Sequence, residues 1–282
     1  MSKISRRQFV TAGLAATAGV SSLAVAASVA KRYGFVPPDS GGIYGPGETL
    51  TYATQRLFAR HSLAREFPRS MISKVPFANA ISPLNDAFKR LQAGAFADWR
   101  LSIDGMVARP ASYSLADLRS FPVRSQITEV VCEEGWSYVA EWTGTPLFDV
   151  LKASGLLPQA RYLVYFSIDP DWWESIDMAD AQHPQTLLAW AMNDGDLPVA
   201  FGGPLRLRVP RQLGYKSVKF LTRLMVTDSL KGFVSGLDPK SPNLGYAWYA
   251  GIWVVAKIKL GRFWKGTFVR ARPFSLATCD DL

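Results

Sequence analysis

Apolar and polar positions change period repeatedly along this 282-residue chain. "WRLSIDGMV" (Trp99 to Val107) alternates, which predicts a strand with one buried face. "SQITEVVCEEG", with its strand ending at Cys132, "RYLVYFSID", "LRLRVP" and "VKFLTRLMVTD" predict further strands, rich in β-branched and aromatic residues. Elsewhere the period lengthens. "ISPLNDAFKRLQAGAFADW" predicts a helix that starts near Asn85 and stops at Gly94. "SLADLRSFP" predicts a short helix with Ser114 as N-cap, Asp117 at the capping-box position and Pro122 beyond its end. "TPLFDVLKASGLLP" (Thr145 to Pro158) predicts a helix closed by Gly155. "HPQTLLAWAMNDGDLP" predicts a short helix and then an Asn-Asp-Gly turn, and Trp172 and Trp173 fall in a loop. "TYATQRLFARHSLAREF" (Thr51 to Phe67) predicts a short helix or a clinging arm. Strands and short helices mix without strict alternation, and no repeat is visible, so the fold class is α+β with mixed sheets.

Composition supports a packed core: 48% of residues are hydrophobic, 12% aromatic and 20% charged. The net charge of +9 suggests nucleic acid or an anionic membrane until its distribution is read. Residues 1–32 carry five basic and no acidic residues, and residues 257–282 carry six basic and two acidic. Residues 33–256 hold 21 of each, so the body is neutral and the expectation is no nucleic-acid partner. "SRRQFV" pairs Arg6 with Arg7, and 22 uncharged residues follow from Phe9 to Ala30. Residues 1–30 therefore read as a twin-arginine (Tat) export signal, with a small-x-small cleavage site at Ala24-Val25-Ala26. The segment is either removed there or kept as an anchor, and the expected location is the periplasm. Residues 31–50 form a Pro/Gly-rich leader.

The inventory of reactive residues is sparse. Two histidines, His61 and His183, argue against a histidine-built zinc or haem site, and no Cys-x-x-Cys or phosphate-loop spacing occurs. Cys132 and Cys279 are the two cysteines, and a bridge from a strand end to a tail residue is disfavoured. Cys132 then has three readings: a buried apolar cysteine, a nucleophile, or a thiolate ligand for a soft metal. By composition alone the first leads. Glu133 and Glu134 stand against the second, because carboxylates disfavour a thiolate. Neither glutamate is expected to have a catalytic role.

"CEEGWSYVAEWTGTPLFDVL" resembles the cysteine segment of the sulfite-oxidase-like molybdopterin oxidoreductases. So do "ADWRLSIDGMVARPASYSLADL", "ESIDMADAQHPQTLLAWAMNDGDLP", "GGPLRLRVPRQLGYKSVKF" and "GYAWYAGI", in order, across roughly residues 50–252. The motifs are most similar to the exported bacterial branch that includes the protein-methionine-sulfoxide reductase catalytic subunit. The resemblance implies a sulfite-oxidase-type fold over residues 51–252, one Mo-molybdopterin per chain, and Cys132 as metal ligand. It also implies cofactor contacts from Arg206, Ser217, Val218, Lys219 and Ser167, and from Gln55, Arg60 and His61 in the arm. Arg208, two positions from Arg206, reads as the member of the pair that points to solvent. Relatives often carry His or Asn where this chain has Phe201, which removes a side-chain donor.

The same resemblance implies oxygen-atom transfer, with reduction of an S-oxide or similar oxo substrate as the leading expectation. Sulfite oxidases follow the cysteine with arginines, whereas here none occurs between Cys132 and Arg161. Trp136, Tyr138, Trp172 and Trp173 suggest an apolar mouth for a small or protein-bound oxo substrate such as an S-oxide. Sulfite dehydrogenation and a non-catalytic cofactor-binding relative are the alternatives. Without a haem-attachment motif, electrons are expected from a separate redox partner, a membrane haem subunit or a cytochrome. Residues 253–282 form a basic extension that leaves the family pattern and could touch a membrane peripherally.

Overall fold

The computed structural model describes residues 53–79, 85–132, 134–170, 172–230 and 233. The export segment, the leader, "GYAWYAGI", the basic extension, Glu133 and Cys279 lie outside the described residues. The described strands, in chain order, are β1 (Leu101–Gly105), β2 (Ala111–Tyr113), β3 (Arg124–Val131), β4 (Ser137–Pro146), β5 (Tyr162–Ser167), β6 (Trp173–Asp177), β7 (Leu187–Met192), β8 (Gly195–Asp196), β9 (Arg206–Arg208) and β10 (Leu221–Thr227). The helices are α1 (Asp86–Ala93), α2 (Leu115–Arg119), α3 (Leu147–Ser154) and α4 (Met178–Ala181), and residues 53–58 are also helical.

Two sheets carry the molecule, the first mixed and the second wholly antiparallel. One has the order β2-β1-β10-β5-β6, with β1 and β10 parallel. The other has the order β3-β4-β7-β8, with β9 also paired to β7. The main apolar cluster joins Leu101 and Ile103 of β1, Leu163 and Tyr165 of β5 and Leu224 of β10 to Leu147, Val150 and Leu151 of α3. The α3 residues fall on one face at helical spacing, and Gly155 ends that helix at φ 70°. A smaller cluster around Val130, Tyr138 and Trp142 backs the reactive side of the second sheet.

Several expectations hold in detail. Asn85 caps α1 by accepting from Phe88 N, Gly94 closes it, and Ser114 with Asp117 forms the capping box of α2. Two do not hold. Residues 187–192 form β7, not a helix, and the short helix lies upstream at α4. The six-residue run LLAWAM is buried on both faces apart from Trp190, and a short continuous apolar run has no period that separates helix from strand. Trp173 likewise opens β6 and pairs with Phe166, so it belongs to a sheet edge and not to a loop.

One close approach fixes the second sheet. The register between β4 and β7 shifts at Thr143/Gly144, where a Cβ on Gly144 would lie 2.2 Å from the Leu188 carbonyl oxygen. Glycine is the residue that lets these backbones meet there.

The N-terminal arm is bound to the body by polar contacts. Phe67 N donates to Ile127 O at 2.9 Å, continuing the outer edge of β3. Gln185 brackets Ala64, accepting from its N–H at 2.7 Å and donating to its carbonyl at 3.0 Å. Arg56 pairs with Asp177 and, at 2.7 Å, with Asp180, and Arg211 donates to the carbonyls of Ala59 and Arg60 at 2.6 and 3.0 Å.

His183 lies in this seam, and its Nδ1 accepts from Gln185 N at 3.2 Å. Burial first, then Arg211, lowers its pKa to about 4, with Arg124 adding to the fall and Asp180 opposing it. The unfolded chain, titrating near the ordinary 6.5, binds the extra proton first as pH falls. Its stability contribution is therefore complete above about pH 6.5 and is lost progressively down to about pH 4. Thermal melts at pH 7, 5.5 and 4.5 should fall in that window. A His183→Gln variant should flatten part of the fall.

Candidate active site

Five segments meet at a cleft with roughly 830 Å³ of empty space, solvent mouth included. Val130 and Cys132 come from the end of β3, Trp136 and Tyr138 from the start of β4, and Ser167 from the end of β5. Arg206 comes from β9, and Ser217, Val218 and Lys219 from the connection into β10. Phe77 and Asn79 lie across the opening. Six of the residues expected from the sequence, Cys132, Ser167, Arg206, Ser217, Val218 and Lys219, thus line one cavity. Gln55, Arg60 and His61 do not line it. Gln55 is half-buried, Arg60 and His61 are exposed, and Arg60 supplies its carbonyl to Arg211. Arg56 is the arm's inward side chain, because it faces the carboxylates of Asp177 and Asp180.

Cys132 sits on a tight turn. Gly135 N donates to Cys132 O at 3.1 Å, Cys132 N donates to Trp136 O at 2.9 Å, and Gly135 takes φ 93°. The thiol is 6% exposed and donates to Glu134 Oε2 at 3.7 Å. The same oxygen accepts from Trp136 Nε1 at 2.8 Å. Glu134 therefore ties the thiol to the indole, a contact that its sequence neighbours gave no reason to expect. On the opposite wall, a Cβ on Gly214 would lie 3.3 Å from Val131 O, so that loop closes directly on the cysteine turn.

The cationic wall departs from expectation at Arg208. Both arginines are buried, Arg208 completely, and they lie 5.1 and 5.5 Å from the Trp142 ring. Residues i and i+2 share one face of a strand, and on β9 that face looks into the protein. Arg206 donates to Phe201 O at 2.8 Å and Ser217 O at 2.7 Å. Arg208 donates to Glu129 O, to Thr128 Oγ1 at 3.3 Å and to Ser217 Oγ at 3.4 Å. Phe201 thus takes part through its carbonyl, while its ring meets Tyr138 edge-on at 5.7 Å.

Burial lowers the pKa of Arg206, and burial together with Arg206 pushes that of Arg208 down to about 9. Both guanidiniums stay charged at neutral pH. Lys219 Nζ donates to the carbonyls of Asn79 and, at 2.8 Å, Ala200. Burial and then Arg206 lower its pKa to about 7. Gly202, at φ 108°, brings the two cationic stems together, since a Cβ there would lie 2.9 Å from Lys219 Cγ and 3.2 Å from Arg206 Cβ.

The chain belongs to the oxidoreductase molybdopterin-binding domain family, whose model matches residues 89–232. It is a molybdopterin-dependent oxidoreductase with the mixed-sheet fold of that family. Among the relatives is YedZ1 of Azospira oryzae, provisionally named a protein-methionine-sulfoxide reductase subunit. The two are 35% identical over 195 residues, covering 69% of this chain and 70% of that protein. The protein-methionine-sulfoxide reductase catalytic subunit MsrP of Xanthomonas campestris pv. campestris is 31% identical, covering 55% of this chain and 56% of that protein. MsrP of Ralstonia nicotianae is 32% identical, covering 55% and 50%, so the chain spans about half the length of these catalytic subunits. A solved structure, the sulfane dehydrogenase SoxCD of Paracoccus pantotrophus, is similar at TM-score 0.46 and 24% identity over 51% of this chain and 40% of that one.

The cleft suits a molybdopterin chemically. Arg206 and Lys219 offer positive charge to its phosphate, and Arg206 Nε is a buried donor with no hydrogen-bond partner. Ser167 and Tyr138 add hydroxyls, and Cys132 adds the soft donor. Among the described residues, no group of three or more His, Cys, Asp or Glu side chains is arranged to hold a metal. Asn79 and Phe77 were not legible as wall residues, because "KVPFAN" is a proline-containing loop without period. Lys219 gives this wall a pH dependence. The lysine loses its proton as pH rises through about 7, so cofactor-free protein should bind sulfate, whose charge is constant, more weakly at pH 8.5 than at pH 6. Calorimetric titration should show the loss in the native protein and a flat profile in Lys219→Arg.

Proposed function

We propose that this oxidoreductase carries molybdenum on its molybdopterin, bonded by the Cys132 thiolate, and reduces S-oxides, with methionine sulfoxide in a polypeptide as the leading substrate. The observation that carries the reading is that Cys132 opens into the same cleft as Arg206 and Lys219, beneath an aromatic mouth of Phe77, Trp136 and Trp172. Aromatic faces suit a neutral sulfoxide with carbon arms better than a small oxoanion. The names of the relatives point the same way.

In the reaction the sulfur–oxygen bond breaks, the oxygen leaves as water with two protons, and two electrons arrive from a separate redox partner. The bound cofactor supplies the centre that accepts the oxygen atom and relays the electrons. The protein's own residues do the rest. Arg206 and Lys219 hold the phosphate and set the depth of the cofactor. The Cys132 turn presents sulfur, which must lose its thiol proton to bind a metal. Trp136, fixed by Glu134, and Phe77 narrow the entrance and limit water around the sulfoxide.

Cys132→Ser should fold, keep most of its pterin and lose at least about a thousandfold in sulfoxide reduction, since a hydroxyl is a hard, poorly ionised donor. Elemental analysis should find about one molybdenum per native chain. Full turnover by Cys132→Ser, or native protein that holds pterin without molybdenum, would end this reading. Parallel assays with sulfite decide the oxidative alternative, for which turnover of sulfite but not of sulfoxide is the signature.

The reading includes folding around the cofactor before export to the periplasm through the paired arginines Arg6 and Arg7. Lysine cannot copy the planar guanidinium fork. Arg6→Lys with Arg7→Lys should leave folded, cofactor-loaded protein in the cytoplasm by cell fractionation. Export at the normal level would assign this terminus to another route.

A further inference from the structure

The segment 69–79 crosses the opening of the cleft as a strap, and its anchors are polar. Ser73 N donates to Val139 O at 2.9 Å, and Ser73 Oγ accepts from Val139 N at 3.0 Å, extending the open side of β4. Arg69 pairs with Glu141 and Asp194. Held at these points, the strap presents apolar side chains outward: Val75 is 91% exposed and Phe77 54% exposed. Scattered exposed apolar residues are ordinary, but Phe77 lines the reactive cleft and Val75 precedes it by two residues on the same strap. Phe77 lines that cleft, its ring 5.0 Å from Trp136, and Trp136 stacks on Tyr138 at 6.1 Å and 10°. An apolar surface thus runs from Phe77 on the strap down an aromatic wall to the floor that holds Cys132, and Val75 stands in open solvent two residues before Phe77.

We infer that Val75 and Phe77 are specificity-determining residues that read the apolar side chains flanking an oxidised methionine in a polypeptide substrate. The inference rests on the S-oxide reductase reading above and adds the surface that selects among such substrates. A sulfoxide side chain reaching the floor past Trp136 leaves its backbone at the level of the strap. Neighbouring side chains then fall against Phe77 and Val75, outside the reacting centre. Covering this apolar area should favour a leucine-flanked over a glycine-flanked site by about 5- to 20-fold in kcat/KM. The gain should appear in KM, because the flanking contacts are the same in the bound and reacting states.

The test uses the loaded enzyme and three substrates: a short peptide with one methionine S-oxide between leucines, the same peptide with glycines, and dimethyl sulfoxide. The native enzyme should prefer the leucine-flanked peptide by the stated factor. Val75→Ser with Phe77→Ser should bring the two peptides within about twofold of each other through KM, and Phe77→Leu should restore most of the preference. A native enzyme that reduces all three without flank preference, or a double variant that keeps the preference, overturns the inference and leaves S-oxide reduction standing. Failure of the native enzyme on all three substrates overturns both.

Discussion

Two buried guanidiniums organise this site. Placing Arg206 and Arg208 on the inward face of β9, against one indole ring, removes two positive charges from water beside each other. Each burial costs several kcal/mol even after relaxation, and repulsion between the two adds to that. Their guanidiniums donate to carbonyls and hydroxyls: Phe201 O and Ser217 O for Arg206, and Glu129 O, Thr128 Oγ1 and Ser217 Oγ for Arg208. Those acceptors belong to three separate stretches that border the cleft. The cations therefore fasten the connection before β10, the turn before the Gly202–Gly203 pair and the end of β3 to one strand. Cys132 follows that end of β3 by three residues from Glu129, so the position of the thiol depends on the same fastening.

Neutral acceptors satisfy hydrogen-bonding geometry and leave positive charge in place. Lys219 feels that charge directly, since Arg206 helps to lower its pKa to about 7. A phosphate in the cleft reverses the sign of this local field: repulsion among three cations becomes attraction to one dianion. Binding the cofactor and completing the fold are in this sense one process. That is what the proposed loading before export would require.

The sequence made the helices and most strands legible because their signals are local. Ser114 with Asp117, Asn85, and Gly155 are each side-chain or backbone solutions to unsatisfied groups at a helix end, readable within four residues. β7 was not legible, because LLAWAM is buried on both faces of its sheet apart from Trp190 and so carries no alternation. The site was half legible. Six residues carried over by resemblance meet in the cleft, since the motifs around Cys132 and Arg206 hold both the residues and the local turns that aim them. The inward orientation of Arg208 was not legible, because alternation says which residues share a face but not whether that face meets solvent or a second sheet. The arm residues lie outside the cleft lining for a related reason: one residue of phase separates Gln55, half-buried, from Arg56, which enters the carboxylate pair of Asp177 and Asp180.

Glu134 shows how the two walls of the mouth are coupled. One carboxylate oxygen accepts from both the Cys132 thiol and the Trp136 indole N–H. A metal that takes the thiolate removes the first donor, and the second remains to hold the carboxylate. The indole then keeps its orientation, stacked parallel on Tyr138 and tilted 54° against Phe77. The aromatic wall is therefore set by the protein whether or not the thiol carries its proton. Pre-set walls of this kind lower the ordering cost that a flexible substrate would otherwise meet on entry. The same geometry explains why an exposed strap can be tolerated over a buried sulfur. Its polar anchors are the hydrogen bonds to Val139 and the ion pairs at Arg69, which hold it while Phe77 packs on Trp136 and Val75 stays in water.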